Sequence, residues 1–213
     1  MNIVVLGATG IVGKAIVKEA LQQGHQVTTL TRNAQKLPSG QTGLKVVEGL
    51  VTDRKVLRQV LYGQDAVIQT LGIGGKGDGK TTTFVSSTNQ IIMEEMEQLG
   101  LRRLIAISVI GAGDSLKFLP WIYKKMILPL FQRWFIPIIE DKNRMEKCIK
   151  ESHLDWTVVR CTTVKHQAAK GNMVASLDGK GLKFTITDAD LAKFFINQLS
   201  DKQFLHQMPT VSN

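Results

Sequence analysis

Apolar positions along the 213 residues follow two periods, and the switches between them mark the elements. The stretch 2–6 (NIVVL), apolar from Ile3 on, reads as a strand, and 11–23 repeats its apolar residues at helical spacing. The alternation continues with strands over 25–30, 44–47, 66–70 and 104–108 and helices over 53–61 and about 83–99. A helix over 140–151, apolar or small at 145, 148, 149 and 152, and a strand over 155–160 follow. Strands alternating with helices predict an α/β protein with a doubly wound parallel sheet and helices on both faces. Beyond it, 172–177 and 182–186 flank Asp178-Gly179-Lys180-Gly181, the signature of a hairpin. Thr187 and Asp190 then form a capping box for a helix running to about 199, and 205–211 suits an edge strand.

The first strand ends directly in Gly7-Ala8-Thr9-Gly10-Ile11-Val12-Gly13. Gly7 permits a tight turn, Gly10 lets backbone N–H groups approach a phosphate, and Gly13 lets the helix pack closely on the strand. The positive end of the helix then faces a pyrophosphate, so the chain predicts a Rossmann-type dinucleotide fold. Its ligand crevice gathers Gly7, Arg32, Thr70, Leu71, Gly72 and Ser108 at one sheet edge. At the end of the second strand an acid would hold a free ribose 2′-hydroxyl, but the chain reads Thr31-Arg32-Asn33, with Lys36 one turn on. A guanidinium suits a 2′-phosphate, so NADP(H) is expected in preference to NAD(H).

The length suits one domain over 1–213, with a C-terminal appendage at 172–213 and a pocket-forming insertion at 114–139. The net charge of +9, from 27 basic and 18 acidic residues, suits anionic ligands. The basic residues are dispersed and no nucleic-acid reader motif appears, so no nucleic-acid partner is expected. Cys148 and Cys161 lack metal or redox spacing and read as reduced core thiols, and no metal is expected. The chain opens on its first strand, which makes cytoplasm the default compartment. Residues 71–80 hold five glycines and two lysines and read as a loop beside the cofactor. Residues 116–139 hold two of the three tryptophans and three of the five prolines. Lys124, Lys125 and Arg133 interrupt this apolar run and Pro129 breaks its centre, so no stable membrane insertion is expected. A pocket lid or wall, a self-association surface and an interfacial patch remain open, with a lid or wall favoured. A monomer or weak homodimer is expected.

These features resemble the atypical short-chain dehydrogenase/reductases over nearly the whole length. Within that group the chain is most similar to proteins of the flavin reductase/biliverdin reductase B type and to NmrA-like proteins. The resemblance is carried by GATGIVG, GQDAVIQTLG (63–72), LRRLIAISVIGAG (101–113), EDKNRMEKCIKESHLDWTVVR (140–160), LDGKG (177–181) and ITDADLAKF (186–194). It implies that Gly7, Thr9, Gly10, Ile11, Val12, Arg32, Leu50, Val51, Thr70, Leu71, Gly72, Ser108 and Lys142 bind the cofactor. Ser108 would lie beside the nicotinamide and Lys142 at the nicotinamide ribose, and these two are the candidate catalytic residues.

The chain departs from that pattern at three points. The proton-donating tyrosine expected four residues before Lys142 is Ile138, and Tyr123 is an unplaced substitute. Leu50 stands where an aspartate near the adenine is expected. Histidines near the substrate of the biliverdin reductase type correspond to Lys142 and Thr163, so a tetrapyrrole substrate is not carried over. Carbonyl reduction needs a proton for the nascent alkoxide, whereas a conjugated acceptor spreads the charge and takes its proton from solvent. The expectation is therefore an NADPH-dependent reductase of a flavin, quinone-like or other conjugated small-molecule acceptor. The alternative is a non-catalytic NADP(H) redox sensor of the NmrA-like kind, with the apolar segment as its partner surface.

Overall fold

In β1 (Asn2–Leu6) successive side chains point into two different cores, as the two-residue repeat of a strand requires. Ile3 and Val5 face a layer shared with α1 (Ile11–Gln22) and α5 (Asp188–Asn197). Val4 and Leu6 face a layer shared with α2 (Arg54–Leu61), α3 (Phe84–Gln98) and α4 (Leu128–Lys150). Burial on both sides is why the strand is apolar from Ile3 to Leu6. The computed structural model describes residues 1–38, 40–73, 80–119, 125 and 128–213, with only the backbone of 128–134.

β2 (Gln26–Thr31) and β4 (Ala66–Gln69) flank β1, and β3 (Leu44–Glu48) lies outside β2. β5 (Arg103–Val109) and β6 (Asp155–Cys161) extend the other side, all six strands being parallel. β10 (Thr210–Ser212) adds parallel to β6, and β8 (Val174–Ser176) closes the edge antiparallel to it. The order β3-β2-β1-β4-β5-β6-β10-β8 reverses its direction of growth between β1 and β4, which opens a crevice beyond their carboxyl ends. This is the doubly wound Rossmann-like sheet that the alternation predicts.

Three expectations need correction. The helix expected over 140–151 is longer, spanning Leu128–Lys150. Pro137 lies inside the same helix without ending it. No hairpin forms around Asp178. The turn is present, with Asp178 accepting from Lys180 N–H and Ser176 Oγ, but β8 joins the main sheet. β9 (Thr185–Thr187) instead pairs in parallel with β7 (Thr163–Lys165) and brings Ile186 into the α1–α5 core. Three-residue strands are too short to hold a hairpin by themselves, so burial decides their partners. The tail strand is not an edge, because β10 lies between β6 and β8. The capping box is modified: Thr187 Oγ1 accepts from Asp190 N–H, while Asn213 Oδ1 accepts from Thr187 N–H.

Cys161 is buried, and Cys148 is half-buried; both are free thiols. Burial pushes the Cys161 thiol up to about 11. Among the described residues no helix is long and apolar enough to cross a membrane, and no cluster of His, Cys, Asp or Glu is arranged for a metal. Tyr123, Lys124 and most of the expected 71–80 loop lie outside the described residues.

Candidate nucleotide-binding cleft

The turn leaving β1 is fixed by backbone crowding. Gly7 adopts φ +90°, and a Cβ there would lie 2.8 Å from the carbonyl oxygen of Thr70. A Cβ on Gly13 would lie 2.2 Å from the carbonyl oxygen of Gly7, so α1 rests directly on the turn. Gly10, the N-cap of α1, donates its N–H to the Gly7 carbonyl at 3.0 Å. Neither a capping side chain nor an acidic residue occupies the first turn of this twelve-residue helix. The positive end of α1 is therefore available to an anion.

Gly10 differs from its neighbours in the motif. Its φ and ψ of −77° and 167° suit any residue, and a Cβ would meet only the Gly7 carbonyl oxygen, at 3.4 Å. Among the described residues, a Cβ on Gly72 would meet nothing within 4 Å. Packing among the described residues does not demand glycine at either position, and both line the cleft, so the space they leave fits a bound group.

The cleft has a volume of about 580 Å³, within the range of small-molecule sites. It is lined by Gly7, Thr9 and Gly10 from the β1–α1 turn, by Arg32 past β2, by Leu50 and Val51 past β3, and by Thr70, Leu71 and Gly72 on the side that follows β4. Thr70 anchors that side to β1, with its N–H and Oγ1 both donating to the Leu6 carbonyl at 2.8 and 2.9 Å. Arg32 is exposed at the rim, and no hydrogen bond or ion pair engages its guanidinium among the described residues. The turn it sits in is held by others: Asn33 Oδ1 accepts from Gln35 N–H, and Glu48 Oε2 accepts from Ala34 N–H. Leu50 is 55% exposed and presents an apolar surface where the resemblance expects an acid.

The remaining expected residues stand elsewhere. Ile11 is 61% exposed at the start of α1, and Val12 packs against the α1–α5 core. Ser108 is fully buried at the end of β5, and its hydroxyl has no hydrogen-bond partner among the described residues. Lys142 is buried behind the cleft, where its ammonium donates to the Ile107 carbonyl at 2.8 Å and the Leu71 carbonyl at 3.3 Å. Burial pushes its pKa down to about 8. It thereby ties α4 to β5 and to a residue that lines the cleft. Ile138 lies one turn earlier on α4.

Sequence reasoning missed Leu30, Thr31, Gly49, Thr52, Ile73 and Phe84, which also line the cleft. Phe84 was detectable in principle: α3 starts beyond the end of β4, at the edge where α1 starts, so its first turn faces the same crevice.

The sequence profile of the NAD(P)H-binding family matches residues 7–202. The chain belongs to the NAD(P)H-binding family. This NAD(P)H-binding protein is also similar to the photosystem II assembly factor Ycf39 of Synechocystis, at 25% identity over 75% of the chain and 44% of that relative. It thus spans less than half of that relative's length. Its fold matches a short-chain dehydrogenase/reductase of Veillonella parvula in complex with NADP, with TM-score 0.82, 18% identity and coverage of 100% of this chain and 94% of that one. It also matches the anaerobilin reductase ChuY of Escherichia coli O157:H7, with TM-score 0.80, 22% identity and coverage of 100% and 97%. The structural likenesses show a shared fold.

Proposed function

We propose that the protein is an NADPH-dependent oxidoreductase that passes hydride to a flavin, quinone-like or other conjugated acceptor. The observation that carries the reading is the cleft itself, which joins an uncapped helix N-terminus to a partnerless guanidinium at its rim. The amides at the start of α1 would hold the pyrophosphate, and Arg32 would hold the 2′-phosphate as a charge-assisted pair. NADPH, when bound, supplies the hydride. Leu71 and Gly72 would border the reactive end, with Lys142 fixing Leu71 from behind. Ile138 offers no proton at the position where a ketone reductase needs one, which favours an acceptor that spreads its charge and is protonated by solvent. The NADP complex and the reductase among the fold neighbours support this reading.

The test is NADPH consumption by the purified protein, with NADH as control, against FMN, riboflavin and a small quinone. Saturable turnover above the uncatalysed rate is expected. A second reading, a non-catalytic NADP(H) sensor, is favoured by the burial of Ser108 and Lys142, neither of which reaches the cleft surface. Tight NADPH binding without turnover on any acceptor would select it.

A further inference from the structure

We propose that Asp141, a residue of α4 outside the cleft, is a positioning residue for nucleotide binding that acts by holding the Phe84 wall in place. The inference rests on the NADPH reading above. The first turn of α3 is only partly capped from its own segment: Thr82 Oγ1 accepts from Phe84 N–H at 3.2 Å, Thr83 at the N-cap position makes no side-chain cap bond, and the turn contains no acid, so no local side chain serves Val85 and Ser86 N–H among the described residues. Asp141 supplies the cap from another element. Its Oδ2 accepts from Val85 N–H at 2.9 Å and its Oδ1 from Ser86 N–H at 3.0 Å. The carboxylate is 1% exposed, and both of its oxygens are used.

The same turn of α4 grips its surroundings twice more. Arg144 donates to the Thr82 carbonyl at 2.5 Å, and its guanidinium lies 3.7 Å from Asp141 Oδ1. Lys142 holds the Leu71 carbonyl, as described. Asp141 and Arg144 therefore fix the chain entering α3, while Lys142 fixes the chain leaving β4. Leu71 and Phe84 both line the cleft. Phe84 is 41% exposed, so its place depends little on burial in the core and strongly on the backbone that carries it. Charge-assisted bonds from a buried carboxylate to helix-terminal amides are among the stronger polar contacts available for that purpose.

The test compares Asp141→Ala, Phe84→Ala, the double variant and Asp141→Asn in the full chain. It reads NADPH affinity by fluorescence titration and exchange of the Val85 and Ser86 amides by hydrogen–deuterium exchange. Asp141→Ala is expected to speed exchange at both amides at least tenfold and to weaken NADPH binding by about tenfold. Phe84→Ala should weaken binding to a similar degree. The double variant should bind no worse than about the weaker single variant, since both substitutions remove one wall. Asp141→Asn, which keeps one acceptor oxygen, should fall between wild type and Asp141→Ala, and it serves for both readouts if the alanine variant does not fold. Faster exchange with wild-type affinity would overturn the proposal, as would losses that multiply in the double variant. Failure of the wild type to bind NADPH would remove the nucleotide reading and this proposal together. Wild-type binding with unaltered variants would remove only the role of Asp141.

Discussion

Alanine at Gly10 and alanine at Gly13 should have opposite effects, although the residues are three apart in one motif. At Gly13 the new Cβ would meet the Gly7 carbonyl oxygen at 2.2 Å and the Ala8 Cα at 2.8 Å, all of it backbone. No side chain can swing away, so α1 must move off β1. Overpacking of this kind costs about 1–3 kcal/mol, and the backbone neighbours put it at the upper end. Alanine recovers about 1 kcal/mol through helix propensity, leaving a net loss of about 2 kcal/mol, or roughly 4–8 °C in Tm for a domain of this size. At Gly10 the backbone already suits alanine, and the sole contact is 3.4 Å. The weaker N-cap costs about 1 kcal/mol or less. The methyl group would instead occupy the space beside the uncapped N-terminus of α1, and a loss of about 1.4 kcal/mol of binding is tenfold in Kd. Thermal unfolding and NADPH titration on both variants separate the two cases. Gly10→Ala should stay close to wild type in Tm and lose at least tenfold in affinity. Wild-type affinity in Gly10→Ala would refute the phosphate cradle, and an unchanged Tm in Gly13→Ala would refute the close-packing argument.

Arg32→Ala should weaken NADPH by about 10- to 100-fold, the worth of a charged hydrogen bond, and leave NADH within about twofold; equal losses for both would sink the 2′-phosphate role. Burial holds the Lys142 ammonium down at about 8, so between pH 8 and about 10.5 the unfolded chain binds more protons than the native one, and native stability rises across that window by up to about 3 kcal/mol. Cys161, pushed up to about 11, acts in the opposite sense above pH 9 and interacts electrostatically with Lys142, so urea unfolding of wild type and Lys142→Met across pH 7.5–9, below the thiol's range, isolates the lysine; parallel profiles would contradict its burial as an ammonium. Glu146 and Arg160 form a buried bidentate pair, and Asp114 holds the same guanidinium at 2.7 Å, so Glu146→Leu should cost about 3 kcal/mol, the lower end for breaking a buried pair, because Asp114 still pairs with the arginine. Adding Arg160→Met should recover much of that loss, and a double variant as unstable as the single would show that the pair is not the source.

Where burial alone decides, the sequence reading matches the structure closely. β1, the glycine turn and α1 are legible because both faces of β1 are covered and the hydrophobic period changes at Gly7. Arg32 and Leu50 could be placed at the crevice because parallel strands end at one edge. The length of α4 was not legible from its prolines, because proline disfavours a helix interior as a rule and Pro137 nevertheless lies inside α4 without ending it. The Asp178 turn was legible and its hairpin was not, because a turn signal is local while the choice of strand partner depends on which core takes Ile186.

The polar partners were the least legible part, and they shape the cleft. Thr82 serves Phe84 N–H locally, yet the partner of Val85 and Ser86 N–H in the first turn of α3 is Asp141, 56 and 55 residues further along the chain. The Lys142 ammonium donates to two backbone carbonyls distant in sequence, Ile107 on β5 and Leu71 just past β4, a pairing that no local pattern announces. Hydrophobic periodicity reveals which face of an element is buried, because that repeats along the chain. It carries no record of which buried donor meets which acceptor, since each such bond forms once, between elements, after the layers have packed. A cleft at a switch point is lined where elements end, and element ends are where backbone groups must find partners outside their own helix or strand. The general position of a site in this fold is therefore readable from strand order, whereas the groups that set its shape have to be found in three dimensions.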